Sequence, residues 1–135
     1  MGGQAPWLGE VQQLSPSLAL DVTVLVDVSD MASLMAQADL AIGAAGATAW
    51  ERCCLGLPTL MAVLADNQRL VAEGLRAAGA VQLLPAVNSL AASLPGLLEG
   101  LLADPEQLRR MSRRAAALVD GGGARRVVET MEMMS

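Results

Sequence analysis

A run of small residues at 43–47 is the strongest candidate in the sequence for binding an anion. It follows the apolar segment 38–43 and leads into a helical pattern that begins near Thr48. A strand that ends in glycine and alanine brings backbone N–H groups and the positive end of the next helix to one point, which suits a phosphate or diphosphate. The run is neither a Walker loop nor a GxGxxG fingerprint, so a tight turn for close packing of strand and helix remains the alternative.

The carboxylate of Glu51 lies one turn into this predicted helix and has two candidate roles. Thr48 and Glu51 fit a capping box, in which Glu51 accepts a hydrogen bond from the Thr48 backbone amide. In the alternative, Glu51 accepts two hydrogen bonds from the diol of a ribose whose phosphates lie at the helix end. We interpret the neighbouring Trp50 as a packed core side chain rather than a base-stacking platform.

Polar side chains follow the apolar segment 58–64 at its carboxyl end. Asp66 is expected to cap the next helix. The side-chain amides of Asn67 and Gln68 both donate and accept hydrogen bonds, which suits the hydroxyl and N-acyl groups of a sugar.

Val28 and Ser29 follow the apolar segment 19–26 and can line a base pocket through their backbone groups. Because parallel strands end at the same edge of a sheet, we expect all three loops to meet where open α/β sheets bind ligands.

Short apolar runs alternate with amphipathic segments, which predicts βα units that build a parallel sheet. The predicted strands are 19–26, 38–43, 58–64 and 80–84. The predicted helices are 6–14, 30–37 with Ser29 as its N-cap, 48–55 stopped by Gly56, 66–78 stopped by Gly79, 90–103, 105–119 and 125–133. The fold class is therefore α/β, as one domain with a βα core at 1–84 and C-terminal helices at 85–135.

The composition excludes several classes of site. The 135 residues include no His, no Tyr and no Phe, and the net charge is −5. Without His, the Ser-His-Asp triads and His-based zinc sites are excluded. We predict no metal site and no cofactor, and we assign no catalytic residue to this chain. An acidic chain whose only aromatic residues are Trp7 and Trp50 lacks the basic face and the stacking platforms of a nucleic-acid-binding protein.

The same composition predicts a cytoplasmic protein without a membrane span. The apolar stretches 40–50 and 53–65 are separated by Glu51 and Arg52, and each is shorter than the ~18–20 residues of a spanning helix. The N-terminus has no secretory signal pattern. We interpret the adjacent Cys53 and Cys54 as reduced and buried.

Residues 38–58, together with Asp30, Met31 and the segment 65–68, closely resemble the C-terminal half of the UDP-sugar hydrolases of pseudaminic acid biosynthesis. These enzymes release UDP and a free diacetamido-trideoxy sugar. More distantly, the pattern is similar to the nucleotide-binding domain of MurG-type glycosyltransferases, which share the GT-B fold. The resemblance covers residues 1 to about 84, and the run Trp-Glu-Arg-Cys-Cys at 50–54 favours the hydrolases.

This resemblance implies a binding site for UDP or a UDP-sugar, with roles for ten residues. The backbone amides of Ala45, Gly46, Ala47 and Thr48, with the Thr48 hydroxyl, would hold the diphosphate, flanked by Gly2 and Gly3. Glu51 would bind the ribose, Val28 the uracil, and Asn67 and Gln68 the sugar.

The chain also departs from the family pattern. The N-terminal domain of these hydrolases, with the His that assists attack by water, has no counterpart here, and the first strand of the Rossmann-like GT-B C-terminal domain is expected just before Met1. We therefore expect a missing N-terminal half or a homo-oligomer, and no hydrolysis by this chain alone. The alternatives are the donor-binding domain of a MurG-like glycosyltransferase and a non-catalytic dimerisation or interaction module.

Overall fold

A computed structural model describes residues 1–135, which form two compact units, Met1–Ser33 and Leu34–Ser135. The second unit contains a sheet of three parallel strands in the order β1 (Ala41–Ala44), β2 (Thr59–Ala62) and β3 (Val81–Leu83). Ala41 lies opposite Thr59, and Thr59 lies opposite Val81, so the strands end near one level. The predicted α/β class with a parallel sheet is confirmed.

The helices follow the predicted order. They are α1 (Leu8–Leu14), α2 (Met31–Gln37), α3 (Thr48–Cys54), α4 (Arg69–Ala77), α5 (Leu90–Leu102), α6 (Pro105–Leu118) and α7 (Gly123–Met134), with short 3₁₀ turns at Ser15–Ser17, Asp66–Gln68 and Val87–Ser89. Gly56 and Gly79 have φ angles of 63° and 76°, a left-handed conformation that glycine adopts without strain. Both therefore end the preceding helices, as the sequence predicts.

The core lies on both faces of β2, because successive side chains of a strand point to opposite faces. Met61 packs in one buried cluster with Ala49 and Cys53 of α3 and with Ala72 and Leu75 of α4. Leu60, one residue earlier, packs in a second cluster with Leu101 of α5 and Met111 of α6. Helices therefore cover the sheet on both sides, which explains why this strand is apolar without alternation.

The predicted strand at 19–26 is wrong, because the structure contains no strand in the first unit. The backbone of this region hydrogen-bonds only to the first residue of the chain. The Met1 amine donates to the Leu25 carbonyl at 2.6 Å, and the Asp27 N–H donates to the Met1 carbonyl at 3.0 Å. A strand is stabilised by a ladder along several residues of a neighbour, which one paired residue does not supply.

The N-cap of α2 is Asp30 rather than the predicted Ser29. The Asp30 carboxylate accepts hydrogen bonds from the Ser33 N–H at 3.1 Å and the Ser33 hydroxyl at 2.6 Å. These two bonds hold the pKa of Asp30 below its ordinary value.

None of the seven α-helices combines the length and apolar composition that crossing a lipid bilayer requires.

Candidate functional site

The turn between β1 and α3 presents a row of unused backbone donors. Ala45 is 3% exposed, and its N–H donates to the Ala62 carbonyl of β2 at 3.0 Å, which anchors the turn to the sheet. The next three backbone N–H groups, those of Gly46, Ala47 and Thr48, have no acceptor within the protein. Unpaired N–H groups are usual where a helix begins, and the three at this turn are consecutive and free to bind an anion.

The expected capping box is wrong. The N-cap residue of α3 is Ala47, and no side chain caps this helix. Thr48 is already the first helical residue, and its Oγ1 accepts a hydrogen bond at 3.2 Å from Nη1 of Arg52, which reaches back from the next turn. The exposed Glu51 carboxylate forms no ion pair or hydrogen bond in the structure, and it therefore remains available to a ligand.

Arg52 is a buried cation beneath this turn, and sequence reasoning did not identify it as part of the site. The residue is 6% exposed, and its Nη2 donates to the Ala44 carbonyl at 2.6 Å. Its Nε is buried without a hydrogen-bond partner, and it forms no salt bridge. Burial lowers the pKa of Arg52, but a guanidinium keeps its charge in a protein.

The space for this guanidinium comes from a glycine in β1. A Cβ atom on Gly43 would lie 2.6 Å from Arg52 Nη1, closer than two such atoms approach. The sequence contains a weak signal for this contact, because position 52 lies on the inward-facing side of α3 with Ala49 and Cys53.

The loop after β2 reaches the same turn through Gln68. Its Oε1 accepts a hydrogen bond from the Leu64 N–H at 3.0 Å. Its Nε2 lies 3.9 Å from the position that a Cβ on Gly46 would occupy, so a side-chain amide donor stands beside the free backbone donors. Asn67 is exposed, and its side chain has no partner in the structure.

Three further expectations near the site need correction. Asp66 does not cap α4, because its exposed carboxylate forms an ion pair with Arg69 at 3.7 Å instead. Trp50 is 45% exposed and lines an apolar groove with Leu70 and Leu118, so it is not a core residue. Cys54 is exposed and only Cys53 is buried, because positions 50 and 54 share the outer face of α3.

The remaining predicted site residues belong to the first unit. The Gly3 N–H donates to the Asp27 carboxylate at 2.6 Å, Gly2 is exposed, and Val28 is half-buried. The roles expected for them, at the diphosphate and the uracil, stay predictions.

Residues 2–127 match the family model described as the glycosyltransferase family 28 C-terminal domain. Among curated proteins, the chain is similar to enzymes named UDP-N-acetylglucosamine--N-acetylmuramyl-(pentapeptide) pyrophosphoryl-undecaprenol N-acetylglucosamine transferase. It is 36% identical over 131 residues to the enzyme from Chromobacterium violaceum, and the aligned region covers 93% of this chain and 36% of the relative. It is 38% identical over 118 residues to the enzyme from Pseudomonas paraeruginosa, and the aligned region covers 84% of this chain and 33% of the relative.

The chain thus spans about a third of the length of these relatives. The expectation of a hydrolase of pseudaminic acid biosynthesis is wrong. The matching family is one of glycosyltransferase domains, and these relatives are named as glycosyltransferases. The run at 50–54 suggested the hydrolase, but in the structure Cys53 packs in the core and Arg52 supports the turn.

Proposed function

Because the chain belongs to the glycosyltransferase family 28 C-terminal domain family, we propose that it binds the UDP-sugar donor of a glycosyltransferase at the carboxyl edge of its sheet. The relatives are named after the UDP-sugar UDP-N-acetylglucosamine, and we propose that this chain binds a donor of the same class, a UDP-linked N-acetylated sugar. Transfer of the sugar to an acceptor would then be an activity of a longer protein, to which this chain contributes the donor site.

The observation that carries this proposal is the row of free N–H groups at Gly46, Ala47 and Thr48. A diphosphate offers several charged acceptor oxygens, and hydrogen bonds from N–H groups to charged acceptors are stronger than neutral ones. The Thr48 hydroxyl and Gln68 Nε2 stand beside this row and add two side-chain donors. The small residues Gly46 and Ala47 leave the backbone open to the ligand at this point.

The remaining contacts follow from the outward-facing polar side chains. We assign the free carboxylate of Glu51 to the ribose diol, which presents two hydroxyl donors. We assign the side chain of Asn67 to the sugar, because an amide can pair with both hydroxyl and N-acetyl groups. Gln68, also expected at the sugar, we assign to the diphosphate, because its Oε1 is bound to the Leu64 N–H and only its Nε2 donor is free. Val28 remains the candidate for the uracil, and Gly2 and Gly3 remain candidates for the diphosphate.

The same donors would assist the reaction itself. Transfer breaks the bond between the anomeric carbon and the diphosphate oxygen, so negative charge develops on the departing UDP. Fixed N–H donors aimed at this charge stabilise the transition state more than the bound donor. The chain would therefore promote departure of UDP without supplying an acid or a base of its own.

The test is calorimetric titration of the chain with UDP and, separately, with CMP. We expect UDP to bind in preference to CMP, and Glu51→Ala to weaken UDP binding by about tenfold or more, since it removes two hydrogen bonds to a charged group. Glu99→Ala is the matched control, because Glu99 is an exposed glutamate on α5, far along the chain from the site.

Two results would contradict the proposal. Equal binding of UDP and CMP would show that neither the diphosphate nor the uracil is recognised. No binding of UDP, together with a stable dimer in analytical ultracentrifugation, would favour the interaction module instead.

A further inference from the structure

The guanidinium of Arg52 joins the end of β1 to the start of α3 below the free donors. Its Nη2 donates to the Ala44 carbonyl at 2.6 Å, and its Nη1 donates to the Thr48 hydroxyl oxygen at 3.2 Å. One rigid, planar group is therefore hydrogen-bonded to both ends of the turn.

The bond to Thr48 also decides what the hydroxyl can do. A hydroxyl has one proton and two lone pairs, and a guanidinium can only donate. Once the Thr48 oxygen accepts from Arg52, its own proton is directed elsewhere. The hydroxyl is thereby fixed as a donor, which is the orientation that an anionic ligand requires.

The charge of Arg52 has no carboxylate in contact with it, and that of Glu51 acts on it only from a greater distance. It forms no salt bridge with any carboxylate, and its buried Nε has no hydrogen-bond partner. A buried cation without an anion is destabilising unless another group compensates for it. The adjacent turn carries free N–H groups, so an anion bound there would lie close to this charge.

We propose that Arg52 is a positioning residue for the diphosphate: it fixes the Thr48 hydroxyl as a donor and places a buried positive charge beneath the turn that binds the ligand. This inference rests on the proposed function. Gly43 is part of the arrangement, because its missing side chain leaves the space that the guanidinium occupies.

The test compares UDP with uridine, which has the same base and ribose but no phosphate. We expect Arg52→Met to weaken UDP binding by about tenfold or more, the size of one charge-assisted hydrogen bond, and to leave uridine binding within about twofold. In the Thr48→Val background, Arg52→Met should cause a smaller loss than in the unaltered chain, because the Thr48 donor is already absent and only the contribution of the buried charge remains to be lost. Arg52→Lys, which keeps the charge and folds more readily, should lose UDP affinity in the same selective way but to a smaller extent.

The contrary outcomes are distinct. Equal losses for UDP and uridine would show that Arg52 only maintains the fold, and unchanged UDP binding would remove its role altogether. Fully additive losses with Thr48→Val would show that Arg52 does not act through Thr48. If Arg52→Met does not fold, as judged by circular dichroism, the Arg52→Lys comparison decides. Failure of the unaltered chain to bind UDP would overturn the proposed function and this inference together, whereas every other outcome concerns Arg52 alone.

Discussion

The side-chain amide of Gln68 is held from the loop after β2, and its nitrogen points to the turn at Gly46. Its Oε1 accepts from the Leu64 N–H at 3.0 Å, and its Nε2 lies 3.9 Å from the position of a Cβ on Gly46. Because the Leu64 N–H occupies Oε1, the nitrogen Nε2 is the end of the Gln68 amide that is free to bind a ligand. Two loops that are separate in sequence therefore contribute donors to one place.

Replacing this donor with an acceptor should weaken diphosphate binding selectively. Gln68→Glu keeps an oxygen for the Leu64 N–H but places a carboxylate beside Gly46, where it would repel a diphosphate. We expect UDP affinity to fall by about tenfold or more, because a hydrogen bond to a charged group is replaced by like-charge repulsion. Calorimetry with UDP and uridine measures this change.

Gln107→Glu is the control for Gln68→Glu, because it makes the same change of charge in the first turn of α6. It should leave UDP affinity within about twofold, as expected for a substitution at an independent site. A similar loss in both variants would point to net charge rather than to the position of Gln68.

Gly43→Ala should destabilise the protein. The new Cβ would lie 2.6 Å from Arg52 Nη1, so the guanidinium must move and give up its bonds to Ala44 and Thr48. Overpacking of this kind costs about 1–3 kcal/mol, measurable as a lower midpoint of urea denaturation.

Gly74→Ala is the matched control for Gly43→Ala. Gly74 lies within α4, and a Cβ there would meet no atom within 4 Å. Replacing an exposed helical glycine by alanine should stabilise the protein by roughly 0.5–1 kcal/mol. If both variants lost stability equally, the steric argument for Gly43 would fail.

Asp120 should titrate at unusually low pH. The two hydrogen bonds from Arg126, at 2.8 and 3.2 Å, and one from the Gly122 N–H at 2.8 Å lower its pKa to about 2. Because the folded pKa lies below the unfolded one, the stabilisation is present above about pH 4 and is lost as the pH falls towards 2. Carbon-detected NMR titration of the Asp120 carboxyl group measures the midpoint directly.

Arg126→Gln removes the main cause of this shift. The Asp120 midpoint should then rise towards the ordinary value of an aspartate, and the loss of stability between pH 4 and 2 should become smaller. An unchanged midpoint in this variant would show that Arg126 does not bind Asp120 in solution.

The two cysteines should react at very different rates. Cys54 is exposed, whereas Cys53 is 2% exposed and burial raises the pKa of its thiol. Since the thiolate is the reactive form, a disulfide reagent such as DTNB should modify Cys54 in a fast phase and Cys53 only after unfolding. Cys54→Ser should abolish the fast phase, and two equally fast thiols in the unaltered chain would contradict the burial of Cys53.

Local sequence patterns predicted most of the regular elements of the second unit. The apolar runs at 38–43, 58–64 and 80–84 contain the three observed strands, and Gly56 and Gly79 end helices where expected. These features depend on side-chain periodicity and on the backbone freedom of glycine, which act over a few residues. The run at 19–26 has the same composition but is not a strand, because a ladder requires a neighbour that local sequence does not specify.

The tertiary structure decided the details of the candidate site. The sequence alone placed the small-residue turn at 43–47 between a strand and a helix, and it selected Thr48, Glu51 and Gln68 as polar groups near that edge. Only the packing of α3 on the sheet buries Arg52, exposes Trp50 and commits the Ala45 N–H to Ala62. These outcomes depend on which face of a short helix meets which strand, so the free donors and the buried charge beneath them emerge only when the elements are assembled.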